Sequence, residues 1–488
     1  MPLALTQKTQ EMEHVLKDSN PKIIIVGGSS QLNTASRHST HRPSNEEELL
    51  RAAENLGMAD RIVRIQDVFH TDDLGSPSSD SGDTLLGGAS GIDPKLFDAP
   101  ALLLYTSGTT GLPKGVVITH RNIYHQVTDL VSSWEWQPSD VALHVLPLHH
   151  VHGVVNLIGC AAYAGARLEF QPFDAVSLWR QWAGEIDIRH DHAESTSTTA
   201  TKVQLPKPNI LMAVPTIYAK LLEAADKLPP STIASAVENT LGPMRLMVSG
   251  SAALPVSVLE KWRNKTGHTL LERYGMTEFA MALSNPYREE NETQRRWPGY
   301  VGQPLPSVRA RIVDQETGER IDVPGVSGEL QVQGPTVFQR YLNREDATKE
   351  AFTEDFYFRT GDVAQYDSGA IQSYRILGRA SVDIIKTGGH KLSALEIERV
   401  LLEHPDIAEV VILGLPDEIW GERVAMICRM KSKDETLTLD SLRQWCADRL
   451  SKYKVPSCLL VVGDIPKNAM GKVNKKNLSG LFRGQESS

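Results

Sequence analysis

The chain has 488 residues, 41% of them hydrophobic, with 51 Lys+Arg against 60 Asp+Glu and a formal net charge of −9. That length and apolar content supply enough buried surface for at least two domains, and the acidic balance argues against nucleic acid, which selects basic surfaces. The cysteines, Cys160, Cys428, Cys446 and Cys458, form no C-x-x-C pair and no zinc spacing with histidine, so they read as reduced thiols; no apolar run is long enough to span a bilayer, and the terminal R-G-Q-E-S-S is not a peroxisomal address.

In chain order, residues 1–20 are too acidic for a transit peptide. Residues 76–91 and 194–202, rich in Ser, Thr, Gly and Asp without apolar periodicity, read as surface loops. Between them, 101–105 (A-L-L-L-Y) reads as a buried strand running into 105–115, Y-T-S-G-T-T-G-L-P-K-G. Glycines at 108, 111 and 115 let backbone N–H groups and Ser/Thr hydroxyls converge on an anion without Cβ clashes. With Lys114 this makes a phosphate cradle. It is not a Walker loop, because Lys114 is followed by Gly115, Val116 and Val117 and not by the Ser or Thr that would hold Mg²⁺. Residues 146–153, L-P-L-H-H-V-H-G, carry His149, His150 and His152, but no carboxylate or cysteine stands beside them to complete a zinc site.

Further along, the apolar stretch 210–214, a helical pattern over 217–228 and a strand at 245–248 alternate as in an α/β protein. A boundary falls at 378–379, beyond which 395–402 reads as helix and 410–415 as strand. The predicted fold class is α/β, with a large N-terminal α/β domain over 1–378 and a small C-terminal α+β domain over 379–488.

The cradle resembles the phosphate loop of the adenylate-forming superfamily, which contains acyl-CoA synthetases, luciferases and peptide-synthetase adenylation domains. Further segments resemble that family's motifs in order: 248–255 (V-S-G-S-A-A-L-P), 273–278 (R-Y-G-M-T-E), 359–362 (R-T-G-D), 378–391 (G-R-A-S-V-D-I-I-K-T-G-G-H-K) and 466–472 (P-K-N-A-M-G-K). The resemblance runs to about residue 478. It implies a large adenylate-forming domain, here lacking its first part because family members begin upstream of the segment that residues 1–5 resemble, and a small mobile C-terminal domain. It also implies ATP, Mg²⁺ and coenzyme A as cofactor and co-substrates of a carboxylic acid, with no nucleic acid, no transmembrane segment and no carrier-protein domain. The expected location is cytoplasmic as written, and mitochondrial for a longer form bearing a transit peptide.

Forming a thioester from a free acid needs a leaving group, which AMP provides: the carboxylate attacks the α-phosphorus, pyrophosphate departs, and the spreading charge is met by lysine, Mg²⁺ and oriented N–H groups. By resemblance, ATP is held by Thr106, Ser107, Gly108, Thr109, Thr110, Gly111, Lys114, Gly250, Ser251, Ala252, Glu272, Arg273 and Tyr274. Asp362 grips the ribose hydroxyls, a task suited to a group that only accepts hydrogen bonds, and Arg379 makes a second ribose contact. Thr277 meets the α-phosphate, Glu278 holds the metal, and Lys472 bridges the substrate carboxylate and α-phosphate. Lys386, Gly388, Gly389 and Lys391 line the pantetheine tunnel once the small domain has swung about the position of Ser381, where Asp or Lys is commoner in the family. His150 gates the acyl pocket, with Met276 on the substrate side.

The R-Y-G-M-T-E motif together with 282–287 (A-L-S-N-P-Y) is most similar to malonyl-CoA synthetases. Arg273 suits the second carboxylate of malonate, since guanidinium offers a planar two-pronged fork and does not deprotonate. Leaving that carboxylate buried and unpaired would cost on the order of 3–5 kcal/mol, or roughly two to three powers of ten in specificity. The competing assignment pairs Arg273 with Glu272 or across strands; Arg295, Arg296 and Lys220 are weaker candidates for the same carboxylate. The expected activity is therefore an acid–CoA ligase forming malonyl-CoA or methylmalonyl-CoA. A short- or medium-chain monocarboxylate ligase stays open, as does a truncated nucleotide-binding form without turnover. An amino-acid adenylation module is disfavoured because no carrier domain follows Lys472.

Overall fold

The computed structural model describes residues 9–22, 24–26, 45–58, 60, 62–64, 94–106, 113–186, 206–291, 295–369, 372–432, 436–467 and 473–482. The segment 1–5, the loops expected at 76–91 and 194–202, Ser107, Gly108, Thr109, Thr110, Gly111 and Lys472 lie outside the described residues. The chain divides into two compact units, Met1–Arg121 with Phe338–Lys349, and Asn122–Val337 with Glu350–Ser488.

In the first unit the helix Thr9–Ser19 sets Met12 and Leu16 against Ala52 and Ala53 of the helix Asn45–Asn55. Beside them Arg340–Tyr341, Lys114–Thr119 and Pro100–Thr106 form an antiparallel sheet in that order. The strand expected at 101–105 is present but is not the buried strand its apolar run predicts: only Leu104 among its residues is buried. The reason is its place. It is an edge strand with a neighbour on one side only, while the central strand Lys114–Thr119 buries Val116, Val117 and Ile118. The Tyr105 hydroxyl donates to Asp18 Oδ2 at 2.8 Å.

In the second unit a seven-stranded sheet runs in the order Gln303–Pro304, Leu283–Ser284, Leu271–Tyr274, Leu246–Ser249, Ile210–Ala213, Val141–His144, Arg167–Phe170. The last five are parallel and the first two antiparallel. Ile210–Ala213 and Leu246–Ser249 are buried at every residue, which is why they read as unbroken apolar runs and not as alternating ones. Pro215 opens the helix Pro215–Ala225, where a missing N–H costs nothing, and Gly267 closes Val256–Thr266 in the left-handed region. These helices and Ala175–Ala183 cover the sheet with Trp179, Trp182, Tyr218 and Trp262.

A four-stranded antiparallel sheet follows, Arg309–Val313, Gly328–Gln333, Phe358–Asp367 and Ser373–Arg379. The remaining elements form a five-stranded sheet, with Ile407–Asp417 and Gly421–Met430 as its long hairpin, around a core of their own that includes Ile385, Ile397, Ile412, Met426 and Leu442. The helix Ala394–Leu401 starts at Ser393, whose hydroxyl accepts from Glu396 N–H at 3.1 Å. Among the described residues no helix is long and apolar enough to cross a membrane.

Trp262 is fully buried, 5.1 Å in centroid distance from Tyr218, and its indole N–H meets Met247 Sδ at 3.3 Å. Trp262→Ala is expected to lower unfolding stability by about 3–5 kcal/mol, read as a shift of the urea midpoint. A shift worth less than about 1 kcal/mol would move the centre of this core elsewhere.

Candidate active site

Strand order brings the sequence motifs of the second unit together. Leu246–Ser249 and Leu271–Tyr274 are parallel neighbours, Ser249 opposite Glu272, so both strands present their carboxyl ends on one edge, the usual ligand edge of an open α/β sheet. Gly250, Ser251 and Ala252 leave the first strand there, with Ser251 in the left-handed region at φ 69°. Gly275, just past the second, accepts no side chain: a Cβ would lie 1.8 Å from the Ala280 carbonyl oxygen.

Asp362 and Arg379 face each other across adjacent antiparallel strands. Arg379 Nε lies 2.9 Å from Asp362 Oδ1, and the Tyr274 hydroxyl donates to Asp362 Oδ2 at 2.6 Å. Burial disfavours the Arg379 charge, but Asp362, with Tyr274 and the nearby Glu278, more than restores it and holds the guanidinium above its ordinary pKa. Arg379 Nη2 also reaches Met276 Sδ at 3.7 Å. Thus Tyr274, Met276, Glu278, Asp362 and Arg379 form one cluster, with Glu278 buried and Thr277 half-buried between Met276 and Glu278 in sequence.

Glu272 and Arg273 are both buried, and strand alternation sends them to opposite faces. They do not pair with each other. Glu272 Oε1 accepts from Gly299 N–H at 3.0 Å, with Arg399 close by, and burial pushes its carboxyl up to about 7. Glu272 is thus held by Gly299 and not by Arg273. The guanidinium of Arg273 lies against Gly250, where a Cβ would come within 2.3 Å of Nε. Nη2 donates to Ser251 Oγ at 3.3 Å, while buried Nε has no partner among the described residues. Burial pulls this arginine down to about 9, still cationic at neutral pH.

His152, which the sequence offered only as one member of a histidine cluster, completes this corner. Its Nδ1 lies 3.4 Å from Ser251 Oγ. Burial, reinforced by the charge of Arg273, holds it well below the ordinary histidine pKa, so it is a neutral imidazole. It opens a π-helical stretch, His152–Gly159, a rare geometry that recurs at functional sites. His152 Nε2 and both amide atoms of Asn156 in that stretch are buried without partners among the described residues. The signal available in sequence was the histidine spacing, which could not say which ring turns inward. The His150 ring lies 4.2 Å in centroid distance from that of His149, tilted by 49°, and is half-buried.

The other arginine candidates lie apart. Arg296 donates to the carbonyls of Pro286, Thr269 and Tyr287, a structural anchor. Arg295 stacks on Trp297 at 4.5 Å and lines a cavity of about 270 Å³ with Ser284, Gln303 and Ser373, none of them in the adenylate cluster. Lys220 is exposed.

Within the first unit, Thr106 pairs with Lys114 at the mouth of the hairpin that carries the cradle, and Lys114 Nζ sits 4.5 Å above the Tyr341 ring. In the C-terminal sheet Lys386 and Lys391 are directly opposite on a two-residue hairpin closed by Gly388 and Gly389, both at positive φ (53° and 81°). Like charges so placed repel, and Lys391 Nζ lies 3.5 Å from Glu316 Oε1. Among the described residues no group of three or more His, Cys, Asp or Glu side chains is arranged to hold a metal. Magnesium on a nucleotide needs only one or two carboxylates beside phosphate and water, which buried Glu278 fits.

A parallel sheet with a buried polar cluster beyond its carboxyl edge, followed by a small α+β core, is the arrangement of an adenylate-forming enzyme. The chain belongs to the AMP-binding enzyme family, whose pattern matches residues 1–342, with the AMP-binding enzyme C-terminal domain matching 396–472. Among its relatives, "Malonate--CoA ligase ACSF3, mitochondrial" of Xenopus laevis is 41% identical over 506 residues, covering 99% of this chain and 79% of that protein. The Mus musculus protein of the same name is 47% identical over 402 residues, with 78% of this chain and 64% of its own length covered. The fold matches ATP-bound MatB from Rhodopseudomonas palustris at TM-score 0.76 and 30% identity, across 99% of this chain and 83% of that one. A malonyl-CoA ligase ternary product complex with methylmalonyl-CoA and AMP matches at 0.56 and 31% identity, across 96% and 85%.

Glu272 has an ordinary pKa of 4.5 and titrates at about 7 when folded, so the native state binds the extra proton across that window. Stability conferred by the protonated form is therefore lost as pH rises from about 4.5 to about 7. Glu272→Gln keeps an acceptor for Gly299 and removes this slope; relative to wild type it is expected to gain about 3 kcal/mol between pH 4.5 and pH 8. Urea midpoints at several pH values check this, and parallel profiles for the two proteins would refute it.

Proposed function

We propose that the chain is an ATP- and Mg²⁺-dependent malonate–CoA ligase that also takes methylmalonate, working through an acyl-adenylate. The observation that carries this is Arg273: a buried, cationic guanidinium on the ligand edge, with one nitrogen on Ser251 and Nε unpartnered among the described residues. Such a group is costly unless a carboxylate answers it, and the carboxylate that reacts must be elsewhere, at the α-phosphate. A substrate with two carboxylates meets both needs. Neutral His152 can donate a further hydrogen bond without adding charge.

In this reading residues 1–378 bind nucleotide and acid, and 379–488 form the mobile small domain. Asp362 and Arg379 hold the ribose, the 106–114 loop the phosphates, Thr277 the α-phosphate, and Lys472 the substrate carboxylate oxygen as it attacks phosphorus and pyrophosphate leaves. Magnesium, held by Glu278, would neutralise charge on the phosphate oxygens. The small domain then turns about 379–381, bringing the Lys386–Lys391 hairpin to the phosphopantetheine arm. The CoA thiolate attacks the acyl carbon and AMP departs. The vertebrate relatives are named mitochondrial, and that location is expected for a form carrying a transit peptide.

The test is AMP release with CoA and Mg²⁺ on malonate, acetate, butyrate and octanoate. Malonate should be preferred by at least about 10² in kcat/KM; preference for a monocarboxylate would refute the assignment. Arg273→Ala is expected to cut malonate kcat/KM by about 10²–10³ while changing that for butyrate less than about tenfold. A uniform loss on both acids would return Arg273 to a structural role.

A further inference from the structure

Lys475 lies three residues beyond Lys472, and its side chain is only 12% exposed. Its ammonium is 2.6 Å from Asp383 Oδ1 and 2.7 Å from Glu398 Oε1. Both carboxylates are committed elsewhere as well. Asp383 Oδ2 accepts from the Arg379 N–H at 3.0 Å, and the Asp383 N–H returns a bond to the Arg379 carbonyl at 2.8 Å. Glu398 Oε1 accepts from Ile412 N–H at 2.8 Å. One cation therefore joins the turn beside the ribose pair, the helix Ala394–Leu401 and the helix Lys475–Leu478. Burial opposes its charge, and Glu398 with Asp383 overcomes that, leaving the ammonium above its ordinary pKa.

The other end of the same segment is also fixed. Lys467 forms a bridge with Val473, and its ammonium lies 2.5 Å from Glu409 Oε2, whose second oxygen takes Arg429 at 2.7 Å. The described residues on either side of 468–472 are thus each held by a charged anchor, Lys467 before and Lys475 after. Three residues of chain reach at most about 10 Å, so the Lys475 anchor limits how far Lys472 can stray.

We propose that Lys475 is a positioning residue for the adenylation half-reaction: it fixes the base of the 468–472 segment against the 379–383 turn, so that Lys472 meets the α-phosphate in register with the ribose on Asp362 and Arg379. The proposal rests on the role of Lys472 given above. Asp383 follows the pivot in sequence, so the tie lies within the small domain and turns with it. Loss of Lys475 should therefore leave the second half-reaction, which does not use Lys472, largely untouched. A cation that merely stabilised the small domain would affect both halves alike.

The test uses the full chain, with malonate-dependent exchange of pyrophosphate into ATP for the first half-reaction and thioester formation from supplied malonyl-AMP for the second. Lys475→Met is expected to slow the first by at least about tenfold and the second by less than about twofold, and Lys475→Arg to recover the first to within about threefold. Equal losses in both halves, or none in either, overturn the proposal. Should Lys475→Met not fold, Lys475→Met with Glu398→Gln, which removes one stranded carboxylate, is judged on the same split. Independently of turnover, amide exchange over 464–478 should quicken about tenfold in Lys475→Met; an unchanged rate there also overturns it. Lys472→Ala is the control: if it keeps pyrophosphate exchange, the assignment of Lys472 fails, and the positioning role fails with it.

Discussion

A strand of a parallel sheet has no water to solvate a charge, yet Leu271–Tyr274 buries two charged residues in succession. Alternation sends Glu272 and Arg273 to opposite faces, so neither can neutralise the other. Glu272 is answered by a backbone N–H from Gly299 and the nearby cation of Arg399, which belongs to the small C-terminal core. Arg273 is answered in part, by one serine hydroxyl, and is packed so closely that Gly250 has no room for a methyl group. Removing an ion from water costs several kcal/mol, and a protein does not sustain that cost without a compensating partner. The geometry of the edge therefore asks for an anion, and the loop, the π-helical turn and neutral His152 are arranged around that demand.

The second dependence is the Asp362–Arg379 pair. Register places the two residues opposite each other, so a sheet bond and an ion pair fix the same spot, and Tyr274 ties it to the first sheet. Arg379 is also where the chain leaves that sheet. Its backbone N–H is held by Asp383, and Asp383 is held by Lys475. A continuous line of charge-assisted bonds thus runs from the Tyr274–Asp362–Arg379 cluster to Lys475. Such bonds are stronger and more directional than neutral ones.

The sequence displayed the motifs well because their chemistry is local. A Gly-rich turn, a carboxylate beside a ribose-type motif and a lysine after glycine can each be read within a few residues. The strands at 210–213 and 246–249 were legible for a similar reason: unbroken apolar runs bounded by Pro and Gly leave few alternatives. What failed were properties set at a distance. The run 101–105 looks buried, but sheet order makes it an edge. Spacing alone does not say which of three histidines within four residues turns inward; His152, at the start of the π-helical stretch, is buried, and His149 and His150 are half-buried. The partner of Glu272 was equally out of reach of a local reading, since Gly299 stands 27 positions away. Lys475, three residues from the motif lysine, carries no local signal, because its partners Asp383 and Glu398 stand far away in sequence.

These placements also bear on how an acidic protein draws in an anionic substrate. With a net charge of −9 its overall field disfavours a dianion, and at physiological salt that field fades over about 8 Å. Attraction must then come from cations close to the reacting atoms and shielded from water, where a single guanidinium interacts far more strongly than it would on the surface. Arg273 meets this condition by burial and Arg379 in part, being half-buried, whereas Lys386 and Lys391 are exposed and set side by side on one tight turn. Each is fixed by strand pairing and not by a flexible loop. A buried cation that has lost its water gains most from a ligand that replaces that water with charge, and gains nothing from one that offers only methylene groups.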